Sequence, residues 1–143
     1  MSESGFALHP RLAEDCLVLG DLPLCRVLLA KDGRYPWLIL VPRRPGIREI
    51  HWLEEKDQLQ LMRESCALAG LLERTLSPDK INVAALGNMV PQLHLHHLAR
   101  FTTDDAWPGP VWGRHPAQPY AEPEQQARQW RLRLAGLDGF TPA

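Results

Sequence analysis

The sequence predicts a single α+β domain, an antiparallel sheet flanked by one long helix and shorter helices. Three observations carry that expectation. The chain has 143 residues, the size of one ordinary domain, and 45% of them are apolar, enough for one core. Two β-rich runs, "CRVLLA" from Cys25 and "WLILV" from Trp37 to Val41, flank the turn Lys31-Asp32-Gly33, which is the pattern of an antiparallel hairpin. A long stretch of helical period, from Trp52 to Pro78, then separates that hairpin from two further strand-like runs.

Taken in order, "HPRLAEDC" from His9 reads as a short helix, because a proline fits the first turn, where its missing N–H has no partner to lose. "PWLILVPRR" holds five consecutive apolar residues between prolines and reads as a central strand. In the long helix, acidic residues gather at the start and Pro78 marks the stop. Leu59, Met62, Cys66 and Ala69 share one stripe, Leu61, Leu68 and Leu72 widen it, and the stripe is read as ordinary core, with part of it left open as a dimer surface. "INVAAL" from Ile81 and "PQLHLHHLARF" from Pro91 read as strands joined through the turn-forming pair Gly87-Asn88. "AWPGPVWG" from Ala106 is too proline-rich for a regular element and is expected as an ordered loop, since its tryptophans need surfaces to pack on. A C-terminal helix starts at about Glu122, with Pro123 in its first turn and Gly136 closing it. Residues 1–105 form the main unit, and 106–143 a tail packed on the same domain.

The totals exclude several classes. With 16 basic and 17 acidic residues the net charge is −1, which argues against a dedicated nucleic-acid binder. Cys16, Cys25 and Cys66 are odd in number and form no CxxC pair, so they read as reduced, mostly buried thiols of a cytoplasmic protein. The N-terminus "MSESGFALHPRLAED" lacks the basic start and apolar run of a leader. No window approaches the ~18 apolar residues of a membrane helix, so no membrane partner is expected.

The chemistry concentrates at His94, His96 and His97, three of the six histidines. On a strand, alternate side chains share a face. Gln92, His94 and His96 then lie together, continued by Leu98 and Arg100, while Leu93, Leu95, His97 and Ala99 point the other way. The first set is polar and the second mostly apolar, so one face of the sheet is expected on the core and the other along a site. Same-face neighbours are roughly 7 Å apart, close enough for two imidazoles to touch one phosphate or one metal. Three readings compete. The histidines are ordinary structural residues, as suits His97 on its apolar face. His94 and His96 are a zinc pair, which needs a third ligand, and His9, His51 and His115 are distant in sequence. Or one neutral imidazole attacks phosphorus while neighbours stabilise the charge.

The run Gln92-Leu93-His94-Leu95-His96-His97-Leu98 resembles the motif of the histidine-triad (HIT) family, His-φ-His-φ-His-φ-φ with φ apolar, with Gln at the first position. "WLILVPRR" is similar to the family's apolar strand ending in Pro and a basic residue. "INVAALGNMVPQLHLHHLAR" is similar to its Asn strand, Gly-polar turn and histidine strand, in that order. The likeness runs from about Leu17 to Arg100, and "RYPWLILVPR" and "AWPGPVWG" resemble a bacterial branch. What the resemblance implies is a HIT-like fold, a homodimer, and hydrolysis or transfer at the α-phosphate of a nucleotide conjugate without a cofactor. His94 matches the nucleophile that becomes nucleotidylated. His96 matches the histidine at the phosphate or leaving-group side. Gln92 stands at the position whose backbone carbonyl orients the nucleophile, a role independent of side chain. Asn88, after Gly87, matches a polar phosphate contact, and Asn82 an Asn supporting the site. Asp32 is a candidate ribose contact in a poorly matching loop. Trp37 stands where many members carry His, Met89 where many carry Ser or Thr, and His97 where an aliphatic residue is usual.

Other features are left open between two uses. Arg43, Arg44 and Arg48 are read first as a solvated cluster and second as an attractor of anionic substrate. Trp107 and Trp112 either stack on a substrate base or pack the tail. Two alternatives to the enzyme remain: a nucleotide-binding module with little turnover, and a metal-dependent hydrolase using His94 and His96.

Overall fold

The hairpin around Lys31-Asp32-Gly33 forms as strands β2 (Cys25–Ala30) and β3 (Trp37–Pro42), paired antiparallel with Leu28 opposite Ile39. The structure, a computed structural model, describes residues 5–143. The first four residues, where the reading of the N-terminus begins, lie outside the described residues. A short helix α1 (Pro10–Asp15) leads into β1 (Cys16–Asp21), and α2 (Glu55–Leu76) separates β3 from β4 (Lys80–Ala84) and β5 (Leu95–Arg100). The tail contributes α3 (Pro123–Leu134) and a two-residue strand β6 (Thr141–Pro142). All pairings are antiparallel, in the order β4-β5-β3-β2-β1-β6.

β1 and β6 were not expected. Gly20 in β1 sits at φ 155, beside a register shift between Val18 and Gly20. A Cβ there would collide with the Thr141 carbonyl and the Phe140 ring, so only glycine lets the C-terminal strand close against β1. Arg131 of α3 donates to the Val18 and Leu19 carbonyls at 2.8 and 3.1 Å, satisfying acceptors beside the shift.

One face of the sheet carries Val27, Leu29, Leu38, Leu40 and Leu95, packed against α2 and α3. Here the helix stripe needs correction. Leu61, Leu68 and Leu72 are buried as expected, but Leu59 and Met62 are 57% and 60% exposed, and Cys66 is exposed as well. The core stripe instead takes in Asp57, Glu64 and Ser65. Each of these polar groups has a partner, as burial demands. Asp57 accepts two bonds from Arg44, at 2.8 and 3.2 Å, and Glu64 accepts the N–H groups of Leu24 and Cys25 at 2.8 and 2.9 Å. Arg44 and Arg43 are therefore half-buried and held by protein partners, not a freely solvated cluster. Arg43 reaches the Leu22, Pro23 and Leu24 carbonyls and locks the β1–β2 connection. Arg48 lies over Trp52, its guanidinium 4.8 Å from the ring centroid.

The opposite face is covered too. Leu12, Cys16, Leu28, Ala30, Ile39, Val41 and Val90 form a second apolar cluster, and Tyr35, Leu98, Ala106 and Val111 a third. The site is thus a cleft between two small clusters, not an open sheet face. The histidine strand is also shorter than expected. It starts at Leu95, because the Leu93 N–H turns to the Ile47 carbonyl and the Gln92 carbonyl turns to a side chain, leaving the ladder. The loop 101–112 is ordered through Arg100, which is almost fully buried. Arg100 binds both oxygens of Asp104 at 2.8 and 3.0 Å, the Asn82 side chain at 2.9 Å and the Gly109 carbonyl at 2.8 Å. That guanidinium holds the Asp104 carboxyl down at about 2, aided by the backbone N–H groups of Phe101 and Trp107. Trp107 packs over the same Arg100, with the guanidinium 5.8 Å from its ring.

Candidate active site

A cleft of about 620 Å³ opens beside the start of β5. His94 and His96 meet there, their ring centroids 4.9 Å apart. The β4–β5 loop brings Gly87, Asn88 and Met89, the β2–β3 loop brings Asp32, and the tail loop brings Trp112. Gly87 takes a left-handed φ of 77, which turns the chain back toward the histidines. The volume suits a small organic ligand.

Each histidine nitrogen can be accounted for. His94 Nδ1 lies 2.7 Å from the Gln92 carbonyl, which can only accept, so the ring N–H sits on Nδ1 and Nε2 keeps its lone pair. His96 Nδ1 accepts from the Trp37 indole N–H at 3.0 Å. Among the described residues neither Nε2 has a protein partner, and both rings line the cleft. Burial, more than the neighbouring His9, lowers the His94 pKa below the usual imidazole range, although the Gln92 carbonyl opposes it. Burial pushes His96 down to about 3, helped by the positive charge that His94 and His97 would carry. Both rings are therefore neutral at neutral pH.

His97 differs. It faces α2, is 0% exposed, and uses both nitrogens: Nδ1 donates to the Leu95 carbonyl at 3.1 Å and Nε2 meets Ser65 Oγ at 2.7 Å. It is a satisfied core residue, and burial holds its pKa at about 4. Cys16 also lines the cleft, but burial drives its thiol up to about 12, far from a thiolate.

The remaining residues singled out in the sequence divide. The Gln92 side chain leaves the cleft: its amide oxygen accepts the His9 N–H and its amide N–H donates to the Ala7 carbonyl, both at 2.9 Å, tying the N-terminal segment down. Asp32 Oδ1 accepts from the Arg34 and Gln118 N–H groups at 3.0 and 3.2 Å, so it holds two loops together while lining the cleft. Asn82 does not line the cleft; it faces Arg100, and any support it gives passes through the loop Arg100 anchors. Among the described residues no group of three or more His, Cys, Asp and Glu is arranged to hold a metal. The sequence reading missed the pairing of Trp37 with His96, and the Arg100–Asp104 anchor. Their only signals were an indole on a strand next to the histidine strand and an Arg and Asp four apart before a proline-rich loop.

The fold and these histidines define a class. The HIT domain model matches residues 11–103. Solved histidine triad proteins are similar over nearly the whole chain. One from Marinobacter aquaeolei is 53% identical, with 90% of this chain and 93% of that one covered and a TM-score of 0.85. One from Bradyrhizobium japonicum is 49% identical, covering 91% and 96%, with a TM-score of 0.84. One from Sinorhizobium meliloti is 42% identical, covering 94% and 98%, with a TM-score of 0.88. No curated protein matches. The chain belongs to the histidine triad family, and that membership supports nucleotide-related hydrolase or transferase chemistry in general. No helix among the described residues is long and apolar enough to cross a membrane.

Proposed function

We propose that this protein hydrolyses or transfers at the α-phosphate of a nucleotide conjugate through a nucleotidyl-histidine intermediate on His94. The observation that carries this reading is the Gln92 carbonyl on His94 Nδ1 at 2.7 Å, which leaves a neutral Nε2 with its lone pair directed to a cleft. The Nε2–P bond forms as the bond from phosphorus to the leaving group breaks. The positive charge arising on the ring is stabilised by the carbonyl at Nδ1. Water then attacks phosphorus and loses a proton to solvent, the N–P bond breaks, and the electron pair returns to Nε2. His96 and Asn88 line the same cleft, and in this reading His96 Nε2 and the Asn88 amide stabilise phosphate charge. Gln at the first position is compatible with this chemistry, because the orienting group is main chain.

The test is intact-protein mass spectrometry after rapid quench with adenosine conjugates, wild type beside His94→Ala. A nucleoside-monophosphate adduct on wild type alone is expected. Nucleotide binding with neither adduct nor product would move the assignment to a binding module. Stoichiometric zinc with activity lost to a chelator would move it to metal-dependent hydrolysis.

The protein is also proposed to act as a homodimer. β4 is a sheet edge, with no further strand on its outer side among the described residues. Val83, 48% exposed, sits opposite His97 on the α2 side of the sheet, the helix that also exposes Leu59 and Met62. A second copy related by a two-fold axis would pair the edge and cover these side chains. Light scattering should give two copies at micromolar concentration and one for Val83→Glu; a monomeric wild type sinks the idea.

A further inference from the structure

The Trp37–His96 hydrogen bond joins residues 59 apart in sequence, and it constrains the chemistry more than packing alone would. Trp37 pairs with Leu98 in the β3–β5 register, so it lies on the same sheet face as His96 and diagonal to it. Its indole N–H points at His96 Nδ1. Indole nitrogen is a donor only, and an imidazolium carries N–H on both nitrogens. The bond can stand only while His96 is neutral, with its proton on Nε2. His94 is set the opposite way, since a carbonyl accepts its Nδ1–H. Two rings 4.9 Å apart thus present a lone pair and an N–H to the same cleft.

We propose that Trp37 is a positioning residue that fixes His96 as an Nε2–H hydrogen-bond donor, which fits the site to conjugates whose leaving group departs as an anion, phosphoanhydrides in preference to phosphoramidates. This rests on the phosphorus chemistry proposed above. As the His94 Nε2–P bond forms, the P–O bond of an anhydride breaks and its electron pair stays on the departing phosphate oxygen. That oxyanion needs a hydrogen bond, which His96 supplies, and no proton moves. An amine leaves differently: the nitrogen must gain a proton as its P–N bond breaks. Neutral His96 would have to become an imidazolate to provide it, because the indole occupies the nitrogen through which the ring would be reprotonated. The Trp112 ring lies 5.2 Å from the His96 ring in an edge-to-face contact that helps hold the imidazole in this orientation.

Two measurements decide it. Long-range proton–nitrogen correlation spectra of ¹⁵N-histidine protein report each ring tautomer, with His96→Gln supplying the assignment. Wild type should show His96 protonated on Nε2 alone near neutral pH, and Trp37→Phe should show a mixture of tautomers. A wild-type His96 carrying its proton on Nδ1, or on both nitrogens, overturns the proposal whatever the activity. The second measurement compares kcat/KM for diadenosine polyphosphate with that for an adenosine 5′-phosphoramidate of a simple alkylamine. A missing general acid costs about 10²–10⁴-fold, so the anhydride should be favoured by at least about 100-fold. An amidate turned over as fast as the anhydride overturns this inference and leaves His94 catalysis standing. Turnover of neither overturns both.

Discussion

His94 and His96 on one side of the histidine segment, and His97 on the other, are the same residue type within four positions, yet their surroundings have little in common. His97 spends both nitrogens inside the protein, on the Leu95 carbonyl and Ser65, and is wholly buried. His94 and His96 are 6% and 7% exposed, nearly as buried, but each spends one nitrogen and keeps the other for the cleft. Burial therefore does not separate the structural histidine from the pair that faces the cleft. The number of nitrogens left over does. The partner of the spent nitrogen, an acceptor for His94 and a donor for His96, then decides which form the free nitrogen takes.

This contrast can be broken from either side. The largest effect is expected for His94→Ala: turnover should fall by on the order of 10⁴-fold or more, while stability stays within ~1 kcal/mol in urea titration. Next is His97→Leu, which takes from the buried Ser65 hydroxyl its imidazole partner. It should cost about 1–3 kcal/mol in the same titration and leave activity per folded molecule intact. A variant with the opposite pattern, stable but inactive, would show that His97 takes part in the chemistry.

Acid should reveal the same burial. Folding lowers the His97 pKa from 6.5 to about 4, so below pH 6.5 the unfolded chain binds a proton that the folded one refuses. Stability is then complete above pH 6.5 and falls by about 3 kcal/mol for this residue as pH drops to 4. His96, held at about 3, extends the loss to lower pH. Denaturation midpoints of His97→Gln across this range should fall less steeply than those of wild type; parallel curves would mean the ring is not held neutral. The smallest effect sharpens the point about main chain and side chain. Gln92→Ala keeps the carbonyl on His94 and loses the bonds to Ala7 and His9, so it should cost about 1–2 kcal/mol while lowering kcat less than ~10-fold. A collapse of kcat would place the amide itself in the reaction.

Much of this was legible before the fold. The hairpin, the long helix, the loop-borne tryptophans and the helical tail all follow from local patterns. Asn88, His94 and His96, singled out together in the sequence, do line one cleft. The helix shows where legibility stops. Leu59, Met62, Cys66 and Ala69 are spaced as well for burial as Leu61, Leu68 and Leu72, yet the first three are exposed and the second set meets the sheet. Glu64, an unpromising core residue by composition, is buried because the N–H groups of Leu24 and Cys25, at the start of β2, need its carboxylate.

By itself, the sequence determined what depends on near neighbours: where most helices and strands lie, where turns fall, and that three imidazoles crowd one short segment. Such features arise from backbone sterics and periodicity within a few residues. Only the tertiary structure decided which apolar stripe of α2 faces the core, that Arg43 and Arg44 are tied to buried carbonyls and a carboxylate, and that Trp37 sets the tautomer of His96. These are pairings of hydrogen-bond donors with acceptors far apart in the chain, and no local periodicity encodes them.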